Sequence, residues 1–393
     1  GRFKEPLVEL PNLVGPQVES FRLLIEKGTE QVLKEFSPIS DHSSKKFELT
    51  IKKFVYGKPK WDEHYAKRMQ RSYEAPLSVT VKLKNRITNE EREQEIFLAD
   101  FPWMTDHGTF VINGVERIVV PQLARSYGVF FEGVPYRGVN YFMGKIIPSR
   151  GVWIEIESDP DKAVYVKIDR KRRFPVTSLL RVLGAAKDED MIKLFETIPG
   201  GTEMIKATLA LDHAKTVQEA FVEIYRRLRD GDIATADTAR DYVTLMLSRE
   251  RYDLSRVGRF HFNRRFGLST ADKDLNETVL SADDIVRIIG HMLELNEDPS
   301  KHADDIDHLG FRRVRFVGEL LEQKMRVGLS RMKRNIQDRM SMVDTTTVLP
   351  AQIMNPRPFA ASIREFFTGN PLAQLMDQFN ILDEMEHLRT LST

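Results

Sequence analysis

Alternation and helical spacing divide the chain before any motif is read. Phe47, Leu49 and Ile51 alternate with Glu48, Thr50 and Lys52, and Leu77, Val79, Val81 and Leu83 alternate with Ser78, Thr80, Lys82 and Lys84. Each stretch predicts a half-buried strand, because successive side chains of a strand face opposite ways. Ahead of them, Val18, Phe21, Leu24 and Ile25 fall at helical spacing after Pro11 and Gly15-Pro16, which predicts a helix over 17–30. A further strand is expected at Glu95-Leu98. Asn113-Gly114 lies between two β-branched runs and predicts a hairpin with a two-residue type I′ turn, whose central residues both need positive φ. These strands are expected to form one mixed, mainly antiparallel sheet.

From about Val119 the pattern changes. Strands are expected around Trp153-Ile156 and Val164-Ile168, followed by the basic run Asp169-Arg170-Lys171-Arg172-Arg173 and a helix-rich stretch after Pro175. Helical periodicity is clear at Val217-Leu228, Thr235-Leu247 and Ala282-Leu295. Gly318 to Met342 reads as a long amphipathic helix with an apolar stripe of Leu320, Leu321, Met325, Leu329, Met332, Ile336 and Met340, a core-packing face. The class is therefore α+β, and 393 residues suggest two or more domains.

Composition narrows the function classes. A formal net charge of +1 gives no whole-protein attraction for nucleic acid, so such binding must come from local basic patches. The absence of Cys excludes disulfides and thiolate zinc sites, and it fits a cytoplasmic protein. No run of about 18 apolar residues is available to span a membrane, and the N-terminus has no signal-peptide pattern. With no initiator Met and no natural end at Leu391-Ser392-Thr393, an excised fragment is expected.

Phosphate-loop, dinucleotide-binding, zinc-protease and nucleophile-elbow motifs are all missing from the sequence. Asp304, Asp305 and Asp307 form the one acidic cluster that suggests two-metal chemistry, which needs converging carboxylates. A solvated acidic turn is the commoner meaning of such a run, with His302 and His308 as surface or capping residues. The basic run 169–173 and the Arg226, Arg227, Arg229 group, followed by Asp230-Gly231-Asp232, could each contact phosphates or form intrachain ion pairs.

The run Pro102-Trp103-Met104-Thr105-Asp106-His107-Gly108-Thr109-Phe110-Val111-Ile112-Asn113-Gly114-Val115-Glu116-Arg117 resembles the protrusion hairpin of the bacterial RNA polymerase β subunit. The resemblance continues in family order through Gln122-Leu123-Ala124-Arg125-Ser126-Tyr127-Gly128-Val129-Phe130-Phe131, Arg251-Tyr252-Asp253-Leu254-Ser255 with Val257-Gly258-Arg259, Asp304-Asp305-Ile306-Asp307-His308-Leu309-Gly310, and Gln374-Leu375-Met376-Asp377-Gln378. It implies a protrusion at 1–118 and 314–372, an inserted lobe at 119–313, and the start of the fork at 373–393.

The resemblance also implies a role. The enzyme would be a DNA-dependent nucleotidyltransferase, and this portion would form one wall of the DNA cleft without catalytic residues or a cofactor of its own, the Mg²⁺ belonging to the β′ subunit. Partners would be the non-template strand and downstream duplex of DNA, the remainder of β, and the β′, α and sigma subunits. A transcription-repair coupling factor or related factors would pair with the strand edge Glu91-Arg92-Glu93-Gln94-Glu95. Carried onto this sequence, the pocket for an unpaired non-template base comprises Arg125, Trp153, Arg229, Arg251, Ile306, Asp307 and Arg312, the motif diverging around Arg229. Without the resemblance, Trp153 would be read as a core strand residue.

Gln374, Asp377, His387 and Ser392 match the rifamycin-binding region, whereas Leu375, Ile381, Leu388 and Thr390 depart from it. Phe311 and Phe316 also depart, and would create apolar patches if exposed. The reading from a different class is a protein-docking module for transcription factors with no DNA affinity of its own. A nuclease built on the three aspartates comes third.

Overall fold

The computed structural model describes residues 12–136, 139–229, 235–297, 302–343 and 348–393. The chain divides into two compact units, residues 1–124 with 314–393 and residues 125–313.

The first unit opens with helix α1 (Gly15–Leu23), a π-helical turn at Leu24–Gly28 and α2 (Thr29–Glu35), where the periodicity predicts one helix. Strands β1 (Ile39–Ser40) and β2 (Phe47–Tyr56) follow, then α3 (Glu63–Arg68), β3 (Glu74–Asn85) and β4 (Glu91–Pro102). They form an antiparallel sheet in the order β1-β2-β3-β4. Along β3 every second residue is buried, as the alternation requires. Asn113 and Gly114, with φ of 51° and 80°, turn β5 (Phe110–Ile112) into β6 (Val115–Val119). This hairpin does not join the first sheet as expected. It makes its own three-stranded sheet with a strand from near the end of the chain. The strand β7 (Gln122–Arg125) ends this part.

The second unit begins with an antiparallel ladder of β8 (Gly128–Tyr136), β9 (Val139–Ile147), β10 (Ile154–Ser158), β11 (Val164–Ile168) and β12 (Phe174–Pro175). Among the described residues its α-helices are α4 (Val176–Val182), α5 (Asp188–Phe195), α6 (Gly201–Leu211), α7 (Val217–Leu228), α8 (Ala236–Leu247), α9 (Ser255–Arg265) and α10 (Ala282–Glu297). Thr216 and Glu219 close a reciprocal capping box on α7, which explains its sharp start. One core joins the sheet to the helices, with Phe131, Ile156, Val166, Phe195, Ile224 and Ile288 among its members.

The strand β13 (Arg312–Arg315) pairs with β7. The first unit then closes with α11 (Val317–Met342), α12 (Pro350–Ile353), α13 (Arg357–Gly369), β14 (Ala373–Leu375) and α14 (Ile381–Arg389). All seven residues of the predicted stripe on α11 are buried. At ~1.5–3 kcal/mol for each such side chain, that face anchors the unit. Gly328 lets α13 approach, since a Cβ there would stand 3.0 Å from Phe359 Cα. β14 pairs with β6, which is why the hairpin belongs to a separate sheet.

Candidate nucleic-acid interface

The second unit brings Trp153 and Ile306 together. Both lie in a small apolar cluster with Tyr127, Phe130, Ile147 and Phe311, separate from the main core. The segment carrying Ile306 is fastened to β8 at two points. The amide of Phe131 donates to Asp304 Oδ2 at 2.7 Å while the amide of Asp304 donates to the Phe131 carbonyl at 2.8 Å. Further along, the amide of Ser126 donates to the Phe311 carbonyl at 2.8 Å. Arg265 strengthens the first fastening with an ion pair to Asp304 at 2.8 Å.

These bonds account for the acidic cluster. Asp304 is spent on Arg265 and Phe131, and Asp305 Oδ1 accepts the amide of Asp307 at 3.2 Å. His308 caps the next turn by accepting the Gly310 amide at 3.0 Å through Nδ1. The Asp307 side chain is exposed and has no partner among the described residues. No group of three metal-ligating side chains converges among those residues.

The candidate arginines fall into two groups. Arg125 and Arg312 lie on the paired strands β7 and β13, half-buried, and the Nε of Arg312 is buried without a hydrogen-bond partner. Arg251 is exposed on the turn after α8. Its backbone lies against Gly151, where a Cβ would come within 2.9 Å of the Arg251 carbonyl oxygen. Arg150 and Asp253 exchange backbone hydrogen bonds at 3.0 and 2.9 Å, so the approach to Trp153 and the Arg251 turn are held together. Arg125, Arg251 and Arg312 make no ion pair among the described residues. Arg229 belongs to the α7–α8 pair instead, its guanidinium 5.4 Å from the centre of the Tyr242 ring. Asp230-Gly231-Asp232 lie outside the described residues.

Trp153 is half-buried, not a fully enclosed core residue, and Arg170 stands 5.5 Å over its ring. Part of the basic run is otherwise engaged, since Arg173 pairs with Asp159 at 2.8 Å and lies over Tyr165. Phe311 is half-buried and packs edge-on against Phe130 at 5.7 Å, and Phe316 is half-buried ahead of α11, so neither stands fully exposed. Burial, with Arg264 nearby, holds the His261 imidazole below its ordinary range. Tyr127 and Phe130, which wall the cluster, stand in the run that carries the resemblance, but nothing local in the sequence marks them as neighbours of Trp153. Arg265 likewise has no local acidic neighbour to mark its pairing.

In the first unit Gln374, Asp377 and His387 are drawn together. Gln374 Oε1 meets His387 Nε2 at 3.0 Å, and the amide of Asp377 donates to His387 Nδ1 at 3.1 Å. Ser392 lies against β7, where its carbonyl accepts the Leu123 amide at 2.7 Å. The segment 91–95 lies on β4, the last strand of its sheet, with Glu91 paired to Lys82 and Gln94 accepting the amide of Ala351 at 3.2 Å.

Residues 125–315 match the family model described as RNA polymerase Rpb2, domain 2. Over 98% of its length the chain is 41% identical to the DNA-directed RNA polymerase subunit beta of Chloroflexus aggregans, covering 34% of that protein. It is 42% identical over its full length to the subunit of the same name from Syntrophomonas wolfei, covering 35% of it. The chain therefore spans about a third of the relatives it matches. Among the described residues no helix is long and apolar enough to cross a membrane.

Proposed function

The chain belongs to the family of bacterial DNA-directed RNA polymerase β subunits, and on that premise we propose that it forms one wall of the DNA cleft, with residues 125–313 contacting the non-template strand. The observation that carries this reading is the Asp307 carboxylate, exposed next to Ile306 of the Trp153 cluster and without a partner among the described residues. A carboxylate accepts the adjacent N–H donors on the Watson–Crick edge of guanine, whereas adenine presents an acceptor at N1. Trp153 supplies a surface on which a neighbouring base stacks. Arg125, Arg251 and Arg312 supply cations that make no ion pair among the described residues.

Nucleotidyl transfer would belong to the whole enzyme, with Mg²⁺ held by β′. This portion would place a DNA strand and offer surfaces to the rest of β, to β′, α and sigma. The purified chain is accordingly expected to extend no primer by itself. The test is binding of bubble DNA over a series of salt concentrations. Replacing one of the three arginines by Ala should weaken all sequences alike and reduce the salt slope by ~0.7–0.9. Binding that ignores salt, or no binding at all, would favour the docking-module reading.

That second reading has one observation of its own. β4 ends its sheet, and an outer strand edge can be extended by a partner's strand through backbone pairing. Amide protection along 91–95 that rises on adding a transcription-repair coupling factor would support it.

A further inference from the structure

We propose that the α3 segment of the first unit binds single-stranded nucleic acid, with Trp61 and Tyr65 as a base-stacking platform and Lys58, Arg68 and Arg71 as phosphate contacts. Trp61 immediately precedes the N-cap Asp62, and Tyr65 follows one turn later. Their rings are stacked, 5.0 Å between centroids and 22° between planes. Met69, a further turn along, continues the same side of the helix. Trp61 is 44% and Met69 51% exposed, so this apolar side is left in water.

Four acids near α3 have partners within the unit. Asp62 accepts the Tyr65 amide at 2.7 Å, Glu63 and Glu116 hold Lys67 at 2.6 and 3.0 Å, and Asp100 pairs with Lys60 at 3.3 Å. Three cations of the same segment are not used in this way. Lys58, Arg68 and Arg71 are exposed and make no ion pair among the described residues.

The platform is held by the Asn113-Gly114 turn. The Gly114 amide donates to the Arg71 carbonyl at 2.8 Å, and the Asn113 amide to Ser72 Oγ at 2.9 Å. A Cβ on Gly114 would stand 2.6 Å from Gln70 Cα, so the turn docks on the end of α3 at backbone distance. Stacked, water-facing rings in a segment that also carries exposed cations without an ion pair among the described residues suit the alternating bases and phosphates of a single strand. An apolar helix would leave the cations unmatched, and an acidic peptide would leave the rings without a planar partner. The site differs from the non-template reading above, which rests on the second unit.

The test is fluorescence anisotropy of a labelled short oligothymidine with the full chain, over a salt series. Trp61→Ala should weaken binding roughly fivefold to a hundredfold, and Trp61→Phe should retain most of it. Lys58→Glu with Arg68→Glu, which alters only exposed groups, should weaken binding and flatten the salt dependence. Photo-cross-linking with 5-iodouracil in the oligonucleotide should place adducts on Trp61 or Tyr65. Absence of binding, unchanged affinity in both Trp61→Ala and the double charge reversal, or adducts confined to other peptides would each overturn the proposal. Adducts confined to residues 125–313 would overturn this site while supporting the non-template reading. Adducts confined to residues 58–71 would do the reverse.

Discussion

Asp305 caps Asp307, its Oδ1 accepting the Asp307 amide at 3.2 Å. Two acids on either side of Ile306 thus have separable roles, one holding the turn and the other presenting a carboxylate. Asp307→Ala should remove roughly 1–3 kcal/mol of preference for guanine at one non-template position without lowering the melting temperature. Asp305→Ala should lower stability by about 1 kcal/mol, through a lost intrachain hydrogen bond, and leave the preference largely intact. Open-complex lifetimes on templates differing only at that base, with polymerase assembled around this segment, read the first effect. Thermal melting of the chain reads the second. An unchanged guanine preference in Asp307→Ala would sink the base-reading role.

The buried pair Arg259–Asp284 gives a second expectation. Both side chains are below a tenth exposed, and the contact is bidentate with two distances of 3.0 Å. Arg259 also donates to the Val279 carbonyl at 2.7 Å, and Asp284 accepts the Ser281 amide at 3.0 Å. Removing one partner leaves a buried charge uncompensated, so Asp284→Ala should cost ~3–5 kcal/mol in denaturant unfolding. Replacing both residues by apolar ones of similar volume should cost less than the single change.

How far the sequence revealed this molecule depends on the range of each interaction. The Asn113-Gly114 turn, the α7 span and the α11 stripe were legible because they rest on backbone dihedral preference and periodicity within a few residues. The β8–β9 ladder was not, because Val129, Phe130 and Phe131 are buried in succession and show no alternation. The sheet that receives the hairpin was hidden because β14 arrives from the far end of the chain. Trp153 reads locally as a strand residue, and only the fold sets it beside Ile306. The residue types of the site came from family likeness; that Asp305, not Asp307, caps the turn came from geometry.

Asp41 should make the first unit acid-sensitive. Burial pushes its carboxyl up. That is outweighed by hydrogen bonds accepted from the Ser43 hydroxyl and from the amides of Phe47, Lys46 and Lys45, which hold it well below the usual carboxylate range. A folded-state pKa below the unfolded one means that the unfolded chain takes up the proton first as pH falls. The stabilisation is thus present above about pH 4, the ordinary carboxylate value, and is lost as pH drops toward the depressed one. Denaturant midpoints compared above and below that pH should fall more steeply for the unsubstituted chain than for Asp41→Asn. Equal slopes would refute the assignment.

Rifamycin should inhibit a polymerase carrying this segment weakly. Gln374 and Asp377 are already tied to His387, so a ligand approaching these groups must first displace bonds of 3.0 and 3.1 Å. The backbone of Ser392 is bound to Pro121 and Leu123 at 2.9 and 2.7 Å. Thr390, whose hydroxyl donates to the Glu386 carbonyl at 3.0 Å, cannot supply the planar charged fork of an arginine. Thr390→Arg should therefore tighten inhibition, and half-inhibitory concentrations for the two enzymes are the measurement. Tight inhibition before the substitution would show that the four matching residues suffice. No gain after it would place the weakness in the tied histidine.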